Sequence, residues 1–282
     1  MPRVHRLRLD SAIEGDSNTP VTGHRWSDQT WPDLVGISHT EVGLVPVGAT
    51  EQHGPHLPLA SDTIIATGLC ELASARTGAP VLPAIPVGAS YGHGTAFPGT
   101  LSLTPELLAG LVRQYAEWAA TSGLRRLLFV NAHFGNSPSL ATATDHLRLF
   151  RPDLRVAAVD WWTLDPTVAT ESVLDGADLH ANRSETSVML ALAPELVHRD
   201  RIGGADDPDR TADLVFRYTA PALSKNGVTG RPSEATEELG QKLVDLTVDA
   251  LSDLVERGRR EEPPLGVAPP PALSNPVSTH NR

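Results

Sequence analysis

The chain of 282 residues is long enough to bury a sizeable core in one large or two modest domains. Lys and Arg number 23 against 34 Asp and Glu, and the formal charge of −11 argues against a nucleic-acid backbone or an anionic membrane as the main partner. The single cysteine, Cys70, excludes an intrachain disulfide and any multi-cysteine metal site. No apolar run approaches the ~20 residues of a membrane span, and no apolar stretch follows the basic start. The expectation is a soluble, cytoplasmic protein.

Short apolar runs alternate with longer helical patterns. Leu44–Gly48, Val81–Gly88, Leu127–Asn131 and Val156–Trp161 are short, rich in Val, Ile and Leu, and bounded by Gly, Pro or polar residues, as strands are. Thr63–Thr77, Pro105–Ser122, Ser139–Arg148, Glu185–Leu192 and Glu234–Arg257 read as helices. The clearest start is Thr104 as N-cap, Pro105 in the first helical position and Glu106 in the first turn. The alternation predicts βαβ units, hence an α/β fold with a mostly parallel sheet covered on both faces. One domain is expected over residues 22–257, after an N-terminal extension at 1–21. Residues 258–282, which hold most of the prolines of the C-terminal stretch, read as a disordered tail. The Arg125–Arg126 pair reads as solvated, and Cys70 as a small core residue.

Ligands of a parallel sheet bind outside the carboxyl ends of its strands. There the sequence places Glu51, His53, His56 and Asp62 after the first strand, His133 and Phe134 after the third, and His180 and Glu185 beyond Trp161 and Trp162. Imidazole with carboxylate, and no thiolate, is the donor set for zinc, manganese or iron(II). Glu51 and His53 are two apart, so in extended chain they leave on the same side. Three carboxylates cannot sit together ionised without compensating cations, so a two-metal site is physically sensible. The competing reading is bland: Glu51 and Asp62 cap helices and the histidines satisfy loop backbone. Spacing alone leaves both open.

The string GATEQHGPHLPLASD, Gly48 to Asp62, resembles the signature of the creatininase (creatinine amidohydrolase) family. The resemblance covers most of the chain. Trp26-Ser-Asp-Gln-Thr-Trp31-Pro is similar to the family's N-terminal segment, and Gly92 to Ser102 to its glycine-rich loop. Asn131-Ala-His-Phe-Gly-Asn136 resembles its N-G-H-G-G-N, and Leu179-His-Ala-Asn-Arg-Ser-Glu-Thr-Ser187 its H-A-G-x-x-E-T-S. Lys225 to Gly230 and Ala235 to Gly240 are similar to its C-terminal motif.

The resemblance implies a three-layer α/β/α sandwich, hydrolysis of an amide-type C–N bond and often a homohexamer. It also implies two divalent metals per subunit, one zinc and the other zinc, manganese or iron(II). Carried over residue by residue, it makes Glu51, His53, Asp62 and His133 metal ligands, with Asp62 bridging. It makes His180 the proton-handling histidine. His56, His93, Phe134, Trp161 and Trp162 are expected to contact the substrate, a small molecule or short peptide.

Two departures matter. The creatinine-hydrolysing enzymes carry a metal-binding glutamate where this chain has Gly135, so Glu185 is expected to complete the second metal. A glutamate restored at Gly135 should then compete with Glu185. The aromatic residue that packs on creatinine is replaced around Gly176-Ala177-Asp178, so creatinine itself is not the expected substrate. A second class of function stays open: a non-catalytic binding or scaffold protein on the same fold, its metal structural or absent.

Overall fold

The computed structural model describes residues 24–94, 96–174 and 180–265. The expected N-terminal extension, most of the expected tail and Gly176–Asp178 lie outside the described residues. Three strands, β1 (Val42–Val47), β2 (Arg126–Asn131) and β3 (Arg155–Asp160), form a parallel sheet in that order. Leu44 stands opposite Leu128, and Leu128 opposite Ala157.

The apolar run at Val81–Gly88 lies beside β1 without becoming a regular strand. Leu82 and Ile85 donate to the Leu44 and Pro46 carbonyls at 2.8 and 2.9 Å, and Leu44 and Gly48 donate back to Pro80 and Ile85 at 2.9 and 3.0 Å. Only isolated bridges result, at Val81 and Ile85. Pro83 and Pro86 have no N–H to give the ladder, which confines such a run to an interrupted edge.

Helices cover both faces. Helix α1 (Ser61–Thr77), α5 (Arg183–Leu192) and α8 (Glu237–Arg260) pack on one side. Helix α2 (Pro105–Thr121) and α3 (Ser137–Phe150) pack on the other. Strand alternation divides the core accordingly. Val42, Leu44, Leu128 and Val130 join the α1–α5–α8 cluster, while Val45, Val47, Leu127 and Phe129 join the α2–α3 cluster. Three short helices, α4 (Pro166–Ser172), α6 (Arg199–Ile202) and α7 (Ala220–Leu223), sit in the connections.

Local chemistry sets the helix ends. Thr104 accepts from the Leu107 amide, and Thr236 from the Leu239 amide, each a cap of about 1 kcal/mol. The Thr236 cap moves the start of α8 from the expected Glu234 to Glu237, and Pro232–Glu234 forms a 3₁₀ turn before it. Asn182 accepts from the Ser184 and Glu185 amides, so α5 starts two residues before Glu185.

At its far end α8 runs to Arg260, past the boundary expected at Arg257. Glu262 then pairs with Arg126 at 3.2 Å and Arg155 at 2.7 Å. Arg126 is therefore buried and paired, not solvated as its sequence suggested. Cys70 is buried in the α1 core as expected.

At Gly240 α8 lies directly against the backbone of α5. A Cβ there would lie 1.8 Å from the Ser187 carbonyl oxygen, a backbone atom that cannot swing away. In an exposed helix Gly→Ala gains about 1 kcal/mol, whereas overpacking a tight contact costs roughly 1–3 kcal/mol. The clash should win. Gly240→Ala is expected to lower the urea midpoint, and a raised midpoint would show that the two helices can part freely.

Candidate metal centre

All three strands point the same way, so the loops after them gather at one edge. Beyond β1 the chain runs through Glu51, Gln52 and His53 to Asp62 in the first turn of α1. Beyond β2 comes His133. Its loop is pinned by amides: Asn136 donates to the Gly48 and Asn131 carbonyl-type oxygens at 3.0 and 3.1 Å and accepts from the Ala89 amide at 2.9 Å. Asn131 in turn donates to Asp160 at 2.7 Å, at the end of β3. His180 and Glu185 arrive on the N-terminal side of α5. Ala181 between them takes φ 49°, a left-handed conformation that costs a non-glycine residue energy. That turn lets His180 face the cluster while Asn182 caps the helix.

Glu51, His53, Asp62, His93, His133, His180 and Glu185 are all buried. His53 Nε2 lies 2.9 Å from Asp62 Oδ1. Glu51 Oε1 lies 3.1 Å from His93 Nε2, 3.2 Å from His133 Nδ1 and 3.6 Å from His180 Nδ1. His133 Nδ1 is 3.5 Å from Asp62 Oδ2. Despite these approaches, neither oxygen of Glu51 nor Oδ2 of Asp62 has a hydrogen-bond partner among the described residues. The nitrogens come close without aligning on the oxygens. Three sets of ligand atoms each fall within 4.8 Å of one another: Glu51–His53–Asp62, Glu51–His93–His180 and His53–His180–Glu185.

This geometry keeps one half of the bland reading and removes the other. His53 Nδ1 lies 3.1 Å from the Glu51 carbonyl oxygen, His133 Nε2 3.2 Å from that of Ala89 and His180 Nε2 2.8 Å from that of Gln52, so these histidines do meet loop backbone. The carboxylates, however, are not helix caps. Asp62 stands in the first turn of α1, yet its side chain caps no backbone amide of that helix. Glu51 caps nothing. Buried carboxylate oxygens without donors, ringed by imidazoles, fit a divalent cation and fit little else. Glu185 is mixed. Asn182 performs the N-cap, but one Glu185 oxygen accepts from the Ala181 amide, so the residue ties down the turn beside His180 as well as facing the cluster.

The charges in this cluster oppose burial. Burial alone would raise the Glu51 carboxyl, but His133 and His93 outweigh it and hold the group well below the usual range. Burial would lower His53 and His133; the Asp62 and Glu51 carboxylates override it and raise them to about 10 and about 9. Glu185 is pushed up to about 7, chiefly by burial. Burial, then the neighbouring His93 and His53 charges, depresses His180 well below an ordinary imidazole.

Gln52 was not singled out by its sequence, and it is central. Its side-chain nitrogen lies 2.9 Å from His93 Nδ1 and 2.7 Å from His180 Nε2 and donates to the Gly227 carbonyl at 2.9 Å. Its backbone oxygen is 2.8 Å from the same His180 Nε2. The reason it was missed is that residues 51–53 are not extended strand, so the rule of alternating sides does not apply and all three side chains turn inward.

A cavity of about 370 Å³ opens on the cluster. His93, His133 and His180 reach it, and Phe134 and residues from 211 to 223 form its walls. Of the expected substrate residues, His93 belongs to the cluster and Phe134 lines the cavity. The other three do not line it. Trp161 and Trp162 are buried in the α1–α5–α8 core, and Trp162 backs Phe134 with ring centres 5.9 Å apart. His56 is buried beside α5, its Nε2 2.8 Å from Thr186 Oγ1. The segment from 211 to 223 was missed because it shows no periodicity.

Gly135 explains one departure and corrects one expectation. A Cβ there would lie 2.4 Å from the Ala89 carbonyl oxygen and 2.5 Å from His133 Nε2. The position has no room for a side chain, so a glutamate placed there would displace His133 and not simply compete with Glu185.

The fold and cluster define an α/β enzyme class that works through buried carboxylate and imidazole. Residues 27–255 match the creatininase family, described as creatinine amidohydrolase. The chain is 33% identical to the creatinine amidohydrolase of Pseudomonas putida over 238 residues, 78% of this chain and 90% of that one. It is 37% identical over 224 residues to the mycofactocin precursor peptide peptidase of Mycolicibacterium smegmatis, 76% of this chain and 84% of that one. A crystal structure of creatinine amidohydrolase superimposes with a TM-score of 0.74 at 29% identity, covering 85% of this chain and 99% of that one. Creatininase structures include zinc–zinc and manganese forms. The chain belongs to the creatininase family and is a hydrolase acting on C–N bonds.

His56 generates a pH prediction. Burial, followed by the charge on His53, lowers it to about 4, so the folded protein keeps it neutral while the unfolded chain protonates near 6.5. Between those values the unfolded state binds more protons, and stability falls as pH falls. The loss attributable to this group is about 2 kcal/mol by pH 5. Urea unfolding of the wild type and His56→Gln at pH 7 and pH 5 should show the smaller loss in the variant. Equal losses would mean that His56 is protonated in the fold.

Proposed function

We propose that the chain is a metal-dependent amidohydrolase acting on a short peptide or small-molecule amide, with Glu51, His53, Asp62, His133 and Glu185 as ligands of two divalent cations. The observation that carries this reading is the set of buried carboxylate oxygens on Glu51 and Asp62 that have no hydrogen-bond partner, beneath an open cavity. Zinc, with zinc, manganese or iron(II) as the second ion, suits the donor set. When bound, the cations supply Lewis acidity and lower the pKa of water.

The protein's own groups do the rest. His180 Nδ1 faces Glu51 Oε1 at 3.6 Å. Its Nε2 sits between a carbonyl and an amide of Gln52, so either tautomer finds a partner there. The ring can therefore gain and lose a proton without turning. Its depressed pKa keeps it neutral at rest and quick to release what it takes up, which suits protonation of a leaving nitrogen. Gln52 orients His93 and His180 together, and Phe134 shields one side of the cavity from water.

Metal content and turnover separate the roles. Asp62→Ala should empty the centre and His53→Ala should remove mainly one equivalent, by elemental analysis. Glu185→Gln should lose one equivalent and nearly all activity; two retained metals at a near-normal rate would reassign it to holding the Ala181 turn. His180→Ala should keep both metals and lose on the order of 10²–10⁴ in rate. Because His180 Nδ1 lies among the ligand atoms, loss of a metal equivalent in that variant would make it a ligand instead.

A further inference from the structure

The cavity is asymmetric. Its floor holds the histidines, backed by buried carboxylates, and its wall includes Leu214, Phe216, Arg217 and Tyr218. Arg217 is the one permanently charged side chain among the lining residues. Among the described residues it has no carboxylate within ion-pair distance and no hydrogen bond. Its neighbours in sequence differ. Arg210 is held by Asp207 at 2.6 Å and by the Leu223 carbonyl at 2.7 Å, which anchors the segment and leaves Arg217 to face the cavity. In a chain of charge −11, an arginine left without an acid is one available to a ligand.

Around it stand apolar side chains exposed beyond what a bare surface favours: Phe216 is 72% exposed, and Phe134, Leu214 and Tyr218 about half or nearly so. The floor holds the donor cluster that would act on the amide, and the wall offers a carboxylate a guanidinium with a planar pair of donors. A substrate whose carboxylate lies on that guanidinium presents its amide end to the floor.

We propose that Arg217 binds a free carboxylate of the substrate, so that the enzyme acts on short peptides or N-acyl amino acids cleaved near an apolar carboxyl-terminal residue. The inference rests on the amidohydrolase reading and names its substrate class. In the reaction, water adds across the amide: a C–O bond forms at the acyl carbon, the C–N bond breaks, and the leaving nitrogen receives the proton. The carboxylate takes no part in these changes. Arg217 acts by position, and its effect should fall on binding and not on the chemical step.

The test uses the zinc- or manganese-loaded full chain, as wild type, Arg217→Lys and Arg217→Ala. The probes are acetylated di-, tri- and tetrapeptides ending in phenylalanine, each as free acid and as carboxamide. Calorimetric affinity and steady-state rates are measured for both forms. The wild type should bind the acids about ten- to a hundredfold more tightly than the carboxamides, the range of a charge-assisted hydrogen bond. Arg217→Ala should lose that preference, with KM for the acids raised and kcat nearly unchanged. Arg217→Lys should keep part of it, since it keeps the charge and loses the fork.

Equal affinity of the wild type for acid and carboxamide, or no binding of either, would overturn the proposal. So would an Arg217→Ala effect of the same size on both. Acid-selective binding that depends on Arg217, with no turnover of any probe, would uphold the role of Arg217 and refute peptide hydrolysis.

Discussion

The site depends on burying the Glu51 and Asp62 carboxyl groups side by side where water cannot reach them. A buried carboxylate costs several kcal/mol unless something compensates it. Here the compensation comes from imidazoles: His53 on Asp62, and His93 and His133 on Glu51. Raised pKa values on His53 and His133 are the signature of that arrangement. It is only partial: His53 bonds one oxygen of Asp62, but the other oxygen of Asp62 and both of Glu51 have no hydrogen-bond partner among the described residues. On the proposed reading a divalent cation would meet the same charge and would displace protons from the histidines as it bound.

Precision at the cluster comes from the elements around it. The parallel sheet delivers Glu51 and His133 to one edge, and the Asn131–Asn136–Asp160 amide network fixes the second of these loops against β1 and β3. Helix α5 carries the other half of the site, and Gly240 lets α8 press directly on it. Burial of the α5–α8 contact therefore sets where Glu185 and His180 stand. A shift of α5 by a fraction of an ångström would reach the cluster undiminished, since packed helices move as units.

What the sequence revealed and what it hid divide on local periodicity. Helix α2 announced itself through its cap, α1 and α5 through helical spacing, and the cluster residues through a motif whose chemistry is narrow. The Val81–Gly88 run misled because its composition is strand-like while its two prolines remove ladder donors. Trp161 and Trp162 follow a strand, which suggested one in the core and the other at the pocket mouth; both are in the core, where large aromatic rings lose most water. Gln52 lay between two obvious ligands and drew no notice, since its role rests on contacts with His93, His180 and Gly227, distant in sequence. The cavity wall from 211 to 223 was invisible for the same reason: it has no period, and only tertiary placement gives it a purpose.

Gly135 shows how a single missing side chain changes what holds a site together. With its backbone against Ala89 and the His133 ring, this loop cannot offer a carboxylate. On the proposed reading the oxygen comes from Glu185, across the cleft, whose side chain also holds the Ala181 amide. One residue would then serve the turn that aims His180 and the cation that His180 would work beside. Coupling of this kind would make metal loading and the posture of His180 interdependent. A loop-borne ligand would leave them separate. Gly135 lines the cavity together with Phe134 and residues from 211 to 223, and its backbone, not a side chain, forms that part of the wall.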